Sequence, residues 1–244
     1  MRRETQNILL VLVGGALLKI SLNGTYLQYV KPSHRYWLIG GGLVMVLLAG
    51  ISIARELFAR APHEHDDGDH EGHDHSARSA WLLILPVLTI FLIAPPALGA
   101  DSVRADASNR AATTLSSGAD DRMLFSPLPA GDPLPVKLSD FAARAAWDSG
   151  NSLDNRRVRL TGFVVVDGQN TYLARLSITC CAADALPVRV RLDGPRTTGY
   201  QNDTWLNVTG TLRPGSATED DDYVPTLSAT ELTKIHQPED PYEH

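Results

Sequence analysis

The chain has 244 residues, with 22 Lys plus Arg against 28 Asp plus Glu and a formal net charge of -6, so it lacks the basic surplus that nucleic-acid binding draws on. All of that negative surplus lies in residues 63–75, which hold six acids and no Lys or Arg; elsewhere the charges balance at 22 against 22. Both cysteines are adjacent, Cys180 and Cys181, which excludes a stabilising disulfide framework and leaves any soluble part to rest on its apolar core.

In chain order, residues 7–30 form an apolar stretch broken only by Lys19, long enough to cross a bilayer, for which about 20 residues suffice. Lys19 has two readings. It is a functional intramembrane charge, at a cost of about 2.5–3.5 kcal/mol, or the helix ends near Asn23-Gly24 and the side chain snorkels to the interface. A second span covers 36–58, with Tyr36, Trp37, Arg55 and Arg60 at its ends as interfacial anchors. Gly14-Gly15 and Gly40-Gly41-Gly42 allow the two helix backbones to approach closely. A third uncharged run, 80–100, contains Pro86 and is ended by Pro95-Pro96. Its tail, Ala97-Leu98-Gly99-Ala100, resembles a signal-peptidase site, but two earlier spans mark it as an internal membrane helix. Arg2, Arg3, Arg55, Arg60 and Arg78 on one side outnumber Lys31, Arg35, Arg104 and Arg110 on the other, which places the C-terminal domain outside the cell membrane.

Residues 101–135, rich in Ala, Ser, Asp and Pro without periodicity, read as a mostly disordered linker. Residues 138–147 suit a short helix capped by Ser139-Asp140, with Leu138, Phe141 and Ala145 on one face. Strand-like runs follow at 157–166, 171–178, 187–192, 204–212 and 224–235. Gly162 in the first and Gly210 in the fourth stand where a barrel must bend, which suits a five-stranded, OB-like barrel. The expected organisation is therefore two transmembrane helices in 1–62, a His/Asp-rich loop in 63–78, a third transmembrane helix in 79–100, the linker in 101–135, and a soluble all-β domain in 136–244.

Two stretches carry metal-binding chemistry. Residues 63–75 contain five of the eight histidines, His63, His65, His70, His73 and His75, interleaved with carboxylates that include Asp66, Asp69 and Asp74. Imidazole suits zinc, copper, nickel and cobalt, and the irregular spacing on a Gly-containing backbone points to an adaptable divalent-metal site instead of a fixed cage. The alternative is a hydrophilic or pH-sensitive loop. The second stretch, Cys180-Cys181 with Asp184 three residues on, sits in a turn between two strands. It reads as two thiolates and an oxygen donor for a metal, as a strained redox pair, or as one packed thiol and one incidental one. Trp205, Phe163 and Tyr172, with Arg157, Arg159, Arg189 and Arg191 nearby, could form a base-stacking face, but such residues are more often half core and half sheet surface, and nucleic acid is not an expected partner. No nucleophile-base-acid constellation, phosphate loop or His-Glu-x-x-His occurs, so no enzymatic activity and no organic cofactor are expected.

The string Ala-Arg-Leu-Ser-Ile-Thr-Cys-Cys-Ala-Ala-Asp-Ala at 174–185, with Asp-Thr-Trp-Leu-Asn-Val-Thr-Gly at 203–210, Tyr-Val-Pro-Thr-Leu at 223–227 and Pro-Glu-Asp-Pro-Tyr at 238–242, resembles the YcgQ-like family. The resemblance is close over 153–242 and looser over the apolar part. It implies the smaller membrane subunit of a bacterial two-component permease, a multi-pass protein of the cell membrane whose partner is a larger polytopic subunit. The transported species is not given by the resemblance; zinc or another divalent transition metal is what the His-rich loop adds.

Overall fold

The structure is a computed structural model that describes residues 3–58, 96–110 and 125–244. It divides into two compact units, residues 1–96 and 97–244.

In the first unit, helix α1 (Arg3–Leu22) and helix α2 (Arg35–Phe58) pack against each other across a connection of two 3-10 turns. Their contact runs through the glycines: a Cβ on Gly14 would lie 2.8 Å from the Gly42 carbonyl oxygen, and a Cβ on Gly42 would lie 3.0 Å from that of Gly14. Only hydrogen fits between these backbones, as in close-packed membrane helix pairs. Lys19 lies exposed in the last turn of α1, where a long side chain can reach an interface. The expectation of three membrane spans is not met among the described residues. One helix, over Pro32–Arg55, is long and apolar enough to cross a membrane, while the apolar part of α1, Gln6–Leu22, is shorter. The third expected span lies outside the described residues as far as residue 95.

In the second unit, α3 (Ala100–Arg110) and α4 (Leu138–Trp147) accompany a mixed seven-stranded sheet. The strands are β1 (Leu134–Pro135), β2 (Arg157–Asp167), β3 (Asn170–Ser177), β4 (Leu186–Asp193), β5 (Trp205–Leu212), β6 (Thr226–Lys234) and β7 (Tyr242–Glu243). The five longer strands fall where the alternating runs lie in the sequence. They pair in a cycle: β2 with β3, β3 with β4, β4 with β6, β6 with β5, and β5 back to β2. Only β4–β6 is parallel within the cycle, while β1 and β7 add parallel to β2 and β3. The domain is therefore neither all-β nor limited to five strands.

Strand β2 shows why the sequence pattern changes along its length. Val158 and Leu160 enter the inner core with Leu173, Val190, Leu206, Val208 and Leu227, while Arg157 and Arg159 stay exposed, giving strict alternation. From Gly162 on, both faces are covered: Val164 joins the inner core, and Phe163 and Val165 join a second cluster with Tyr172, Trp205, Tyr242, Ala100 and Val103. A strand buried on both sides needs a continuous apolar run, and Phe163-Val164-Val165-Val166 supplies it.

The cover comes from the segment expected to be the end of a membrane helix and the start of a linker. Ala100 and Val103 are fully buried. The Ala100 amide donates to Asp203 Oδ1 at 2.6 Å, and the Leu98 amide donates to the Tyr242 hydroxyl at 3.2 Å. Residues 97–110 are thus part of the folded unit, with the N-terminus of α3 capped by a carboxylate about one hundred residues away in sequence. Residues 125–135 are likewise engaged, since Leu134 is buried and Leu128 packs on the inner core; 111–124 lie outside the described residues. Asp203 has a left-handed backbone (φ 63), so Asp203→Gly removes the carboxylate while keeping that conformation accessible. We expect it to weaken the docking of α3 by about 1–2 kcal/mol, read as faster hydrogen exchange at the Ala100–Val103 amides with the inner core unchanged.

Helix α4 has the expected bounds with a different cap and a different face. Neither Ser139 nor Asp140 caps it; the buried carboxylate of Glu243 accepts from the Leu138 amide at 2.8 Å and the Ser139 amide at 2.9 Å. Leu138 and Phe141 are buried as expected, but their third companion is Arg144, not Ala145. Its guanidinium is satisfied by Asp140 at 3.0 Å, Ser152 at 3.1 Å and the Ser126 carbonyl at 2.8 Å. A buried cation needs such partners, and these tie the 125–135 segment to the helix.

Candidate metal centre

Strand β3 ends at Ser177 and β4 begins at Leu186, and the eight residues between them leave strand geometry through a short 3-10 turn, Ala182–Asp184. In a continuous strand, adjacent side chains point to opposite faces. Here the break puts the two sulfurs on one side: Cys180 Sγ and Cys181 Sγ are 3.5 Å apart, with both thiols free. The Asp184 carboxylate folds back over the turn and accepts the amides of Thr179 at 3.1 Å, Cys180 at 2.8 Å and Cys181 at 3.4 Å. The Asp184 amide completes the ring by donating to the Cys181 carbonyl at 3.0 Å. Donor atoms of Cys180, Cys181 and Asp184 all lie within 4.8 Å of one another, close enough to reach a single ion. These three sequence-selected residues are brought together; the histidines and carboxylates of 63–75 lie outside the described residues.

The electrostatics of the turn are one-sided. Its hydrogen bond to the Asp184 carboxylate, then that to Cys181, push the Cys180 thiol up to about 11, while the same Cys180 contact and the backbone amides hold Asp184 below the usual carboxylate range. A thiol with a raised pKa stays protonated at neutral pH, so without metal it is a poor nucleophile. Relative to a free cysteine near 8.5, the neutral-pH thiolate fraction of a thiol near 11 falls about 300-fold. Alkylation of Cys180 should therefore climb about tenfold per pH unit well past pH 9, and Asp184→Asn should shift that profile to lower pH; a profile centred at 8.5 in both proteins would contradict this electrostatic account. Arg175, the basic residue nearest in sequence, does not turn toward the thiols. Its guanidinium donates to the carbonyls of Asp240 at 2.8 Å and Tyr242 at 3.3 Å and lies 5.3 Å from the Trp205 ring centre.

The proposed stacking face is closed. Phe163 and Trp205 are buried against each other, 5.5 Å between ring centres, and Tyr172 is buried beneath Arg189 and Arg191. The rings are core, as the blander sequence reading held.

A cleft of about 460 Å³, lined in part by Lys137, Arg159, Arg175, Asp240 and Glu243, was not singled out from sequence. Its two acids are already engaged, Asp240 with His244 Nε2 at 2.7 Å and Glu243 with the start of α4. The usable signal was the Pro-Glu-Asp-Pro-Tyr string at 238–242, whose polar residues sit too far along the chain for any local pattern to connect them with β3.

Neither the curated proteins nor the solved structures contain a match to this chain. Residues 148–244, which include every strand of the closed cycle and the Cys180-Cys181-Asp184 turn, match the family described as the DUF1980 C-terminal domain.

Proposed function

We propose that this chain is a non-enzymatic membrane subunit that binds a divalent transition metal of the zinc type, working beside a larger polytopic permease subunit. The observation that carries the reading is the convergence of two thiols and a carboxylate, all within 4.8 Å, at an exposed turn of the unit that matches the DUF1980 C-terminal domain. Zinc takes thiolate and carboxylate donors at about 2.0–2.3 Å, and the three side chains form a compatible set. The pairing cycle, closed by one parallel contact, supports an OB-like barrel as the scaffold that presents the turn. In this reading the multi-pass helices hold the barrel outside the cell membrane, and the His/Asp-rich segment 63–75 gathers ions for the permease partner named by the YcgQ-like resemblance.

A thiol redox module is the second reading, favoured by the 3.5 Å separation of two free sulfurs. The carboxylate that holds the Cys180 thiol protonated opposes thiolate exchange and metal loading alike, so it is the convergence of Asp184 as a third donor that favours the metal reading.

Zinc binding by the full chain in detergent, measured by competition with a chromophoric chelator, tests the metal reading. Cys180→Ser and Cys181→Ser should each lose at least about 100-fold in affinity at this site, since even residues that only support a metal ligand are worth 10–100-fold. Deleting residues 63–75 should remove a separate, weaker class of sites. Unchanged zinc binding in both thiol variants would reject a metal role for the turn, and a disulfide cycling between reduced and oxidised wild type would then favour the redox module.

A further inference from the structure

The candidate centre has three donors among the described residues. Among the described residues, the cluster that converges on one point is Cys180, Cys181 and Asp184, and no fourth His, Cys, Asp or Glu joins it. Zinc is four-coordinate in closed structural sites, whereas sites with three protein donors keep one position open to water or an incoming group.

The sulfur separation argues for that tetrahedral class. With bonds of about 2.3 Å, sulfurs 3.5 Å apart subtend about 100° at the ion, and an ideal tetrahedral angle needs about 3.8 Å, an opening of about 0.3 Å. A linear two-thiolate ion with bonds of similar length needs about 4.6 Å, over 1 Å more than the turn provides. The turn resists such spreading, because the Asp184 carboxylate clasps the amides of Thr179, Cys180 and Cys181 while the Asp184 amide donates to the Cys181 carbonyl. The approach is open: Cys180 is exposed, and Leu186, at the other end of the turn, is 57% exposed.

Resting on the metal-binding reading above, we infer that the Cys180-Cys181-Asp184 turn holds its ion with three donors and leaves a fourth position for a nitrogen donor of a partner protein, which makes it a transfer site. Loading is ligand exchange without electron transfer. Two thiols release two protons to solvent, two metal–sulfur bonds and one metal–oxygen bond form, and water occupies the remaining position. An incoming imidazole displaces that water, and the ion passes on as the two metal–sulfur bonds and the metal–oxygen bond to Asp184 break and the two thiols regain protons from solvent.

Cobalt(II), a spectroscopic substitute for zinc, tests this on the full chain in detergent, with the Cys180→Ser/Cys181→Ser double variant as reference. Thiolate-to-cobalt absorption, present in the wild type and lost in the variant, reports only ions on these cysteines and is blind to ions held by histidines of 63–75. Imidazole is then titrated at fixed pH and ionic strength. The expected result is a saturable shift of the visible cobalt bands at one imidazole per site, with thiolate absorption retained. Visible bands that do not move mean that the chain fills all four positions, and they overturn the open-site inference while the metal reading stands. Thiolate absorption that disappears in step with added imidazole means competition instead of a ternary complex, and also overturns it. Absence of thiolate-to-cobalt absorption in the wild type removes the metal reading itself.

Discussion

Gly162→Val should destabilise the C-terminal unit by about 3 kcal/mol, at the upper end of what overpacking costs. A Cβ at Gly162 would stand 2.5 Å from the Ala174 carbonyl oxygen and 3.0 Å from Leu173 Cγ. The first of these is backbone of the paired strand β3, so relief requires β2 and β3 to move apart where β2 passes from its pairing with β5 to its pairing with β3. The separation would expose the inner core at Leu160 and Leu173 together with the second cluster at Phe163, because Gly162 lies between the two. Gly210 is placed in the same way against the Ser228 carbonyl, beside the register shift between Thr209 and Gly210, and Gly210→Val should behave alike. Urea unfolding followed by tryptophan fluorescence gives the comparison, with Arg159→Ala, an exposed change on the same strand, as a control expected within about 0.5 kcal/mol of wild type. A Gly162→Val protein as stable as that control would mean that the strand cycle does not close as tightly as described.

Glu243→Ala should cost a similar amount, about 3 kcal/mol, by a different route. The side chain is buried and serves two amides at the N-terminus of α4, so its removal leaves one buried and one half-buried donor without an acceptor, at about 1–3 kcal/mol for a buried one. It also withdraws a negative charge from Arg175, whose guanidinium burial pushes below its usual range while Glu243 and then Asp240 pull it back. Glu243→Gln keeps one carbonyl acceptor and should recover about half of the loss. Chemical denaturation measures both variants, and protection of the Leu138 and Ser139 amides from hydrogen exchange locates the effect. Equal stability of the alanine variant and the wild type would show that water replaces the carboxylate at this cap.

These two positions separate what a local pattern conveys from what it does not. Gly162 was legible as a bend because a glycine in a run of branched residues has few other uses in a barrel strand. The role of Glu243 was not legible: the local rule for a helix start looks within four residues of it, and Ser139-Asp140 satisfied that rule on paper while the actual acceptor sits over one hundred residues later. Asp203 and α3 repeat the lesson. Residues 97–103 read as the tail of a membrane span and the head of a linker, because Ala, Leu and Gly suit either setting and the carboxylate that fixes them is contributed by another part of the chain.

The candidate centre divides along the same line. Residue identity and spacing named Cys180, Cys181 and Asp184, since two soft donors and a carboxylate within five residues are chemically suggestive without any coordinates. They did not tell whether the sulfurs share a side, because that depends on where β3 stops and β4 starts, and those ends are set by the pairing of β3 with β4 and with β7.

By itself the sequence determined the apolar helices, the five longer strands and the donor set of the turn, because each follows from periodicity or composition within a dozen residues. Only the tertiary structure decided the closing pairings, the caps from Asp203 and Glu243, the burial of Arg144 and the meeting of the two thiols. Each of these joins groups whose partners are chosen by packing, and packing energy does not depend on how far apart the partners lie along the chain.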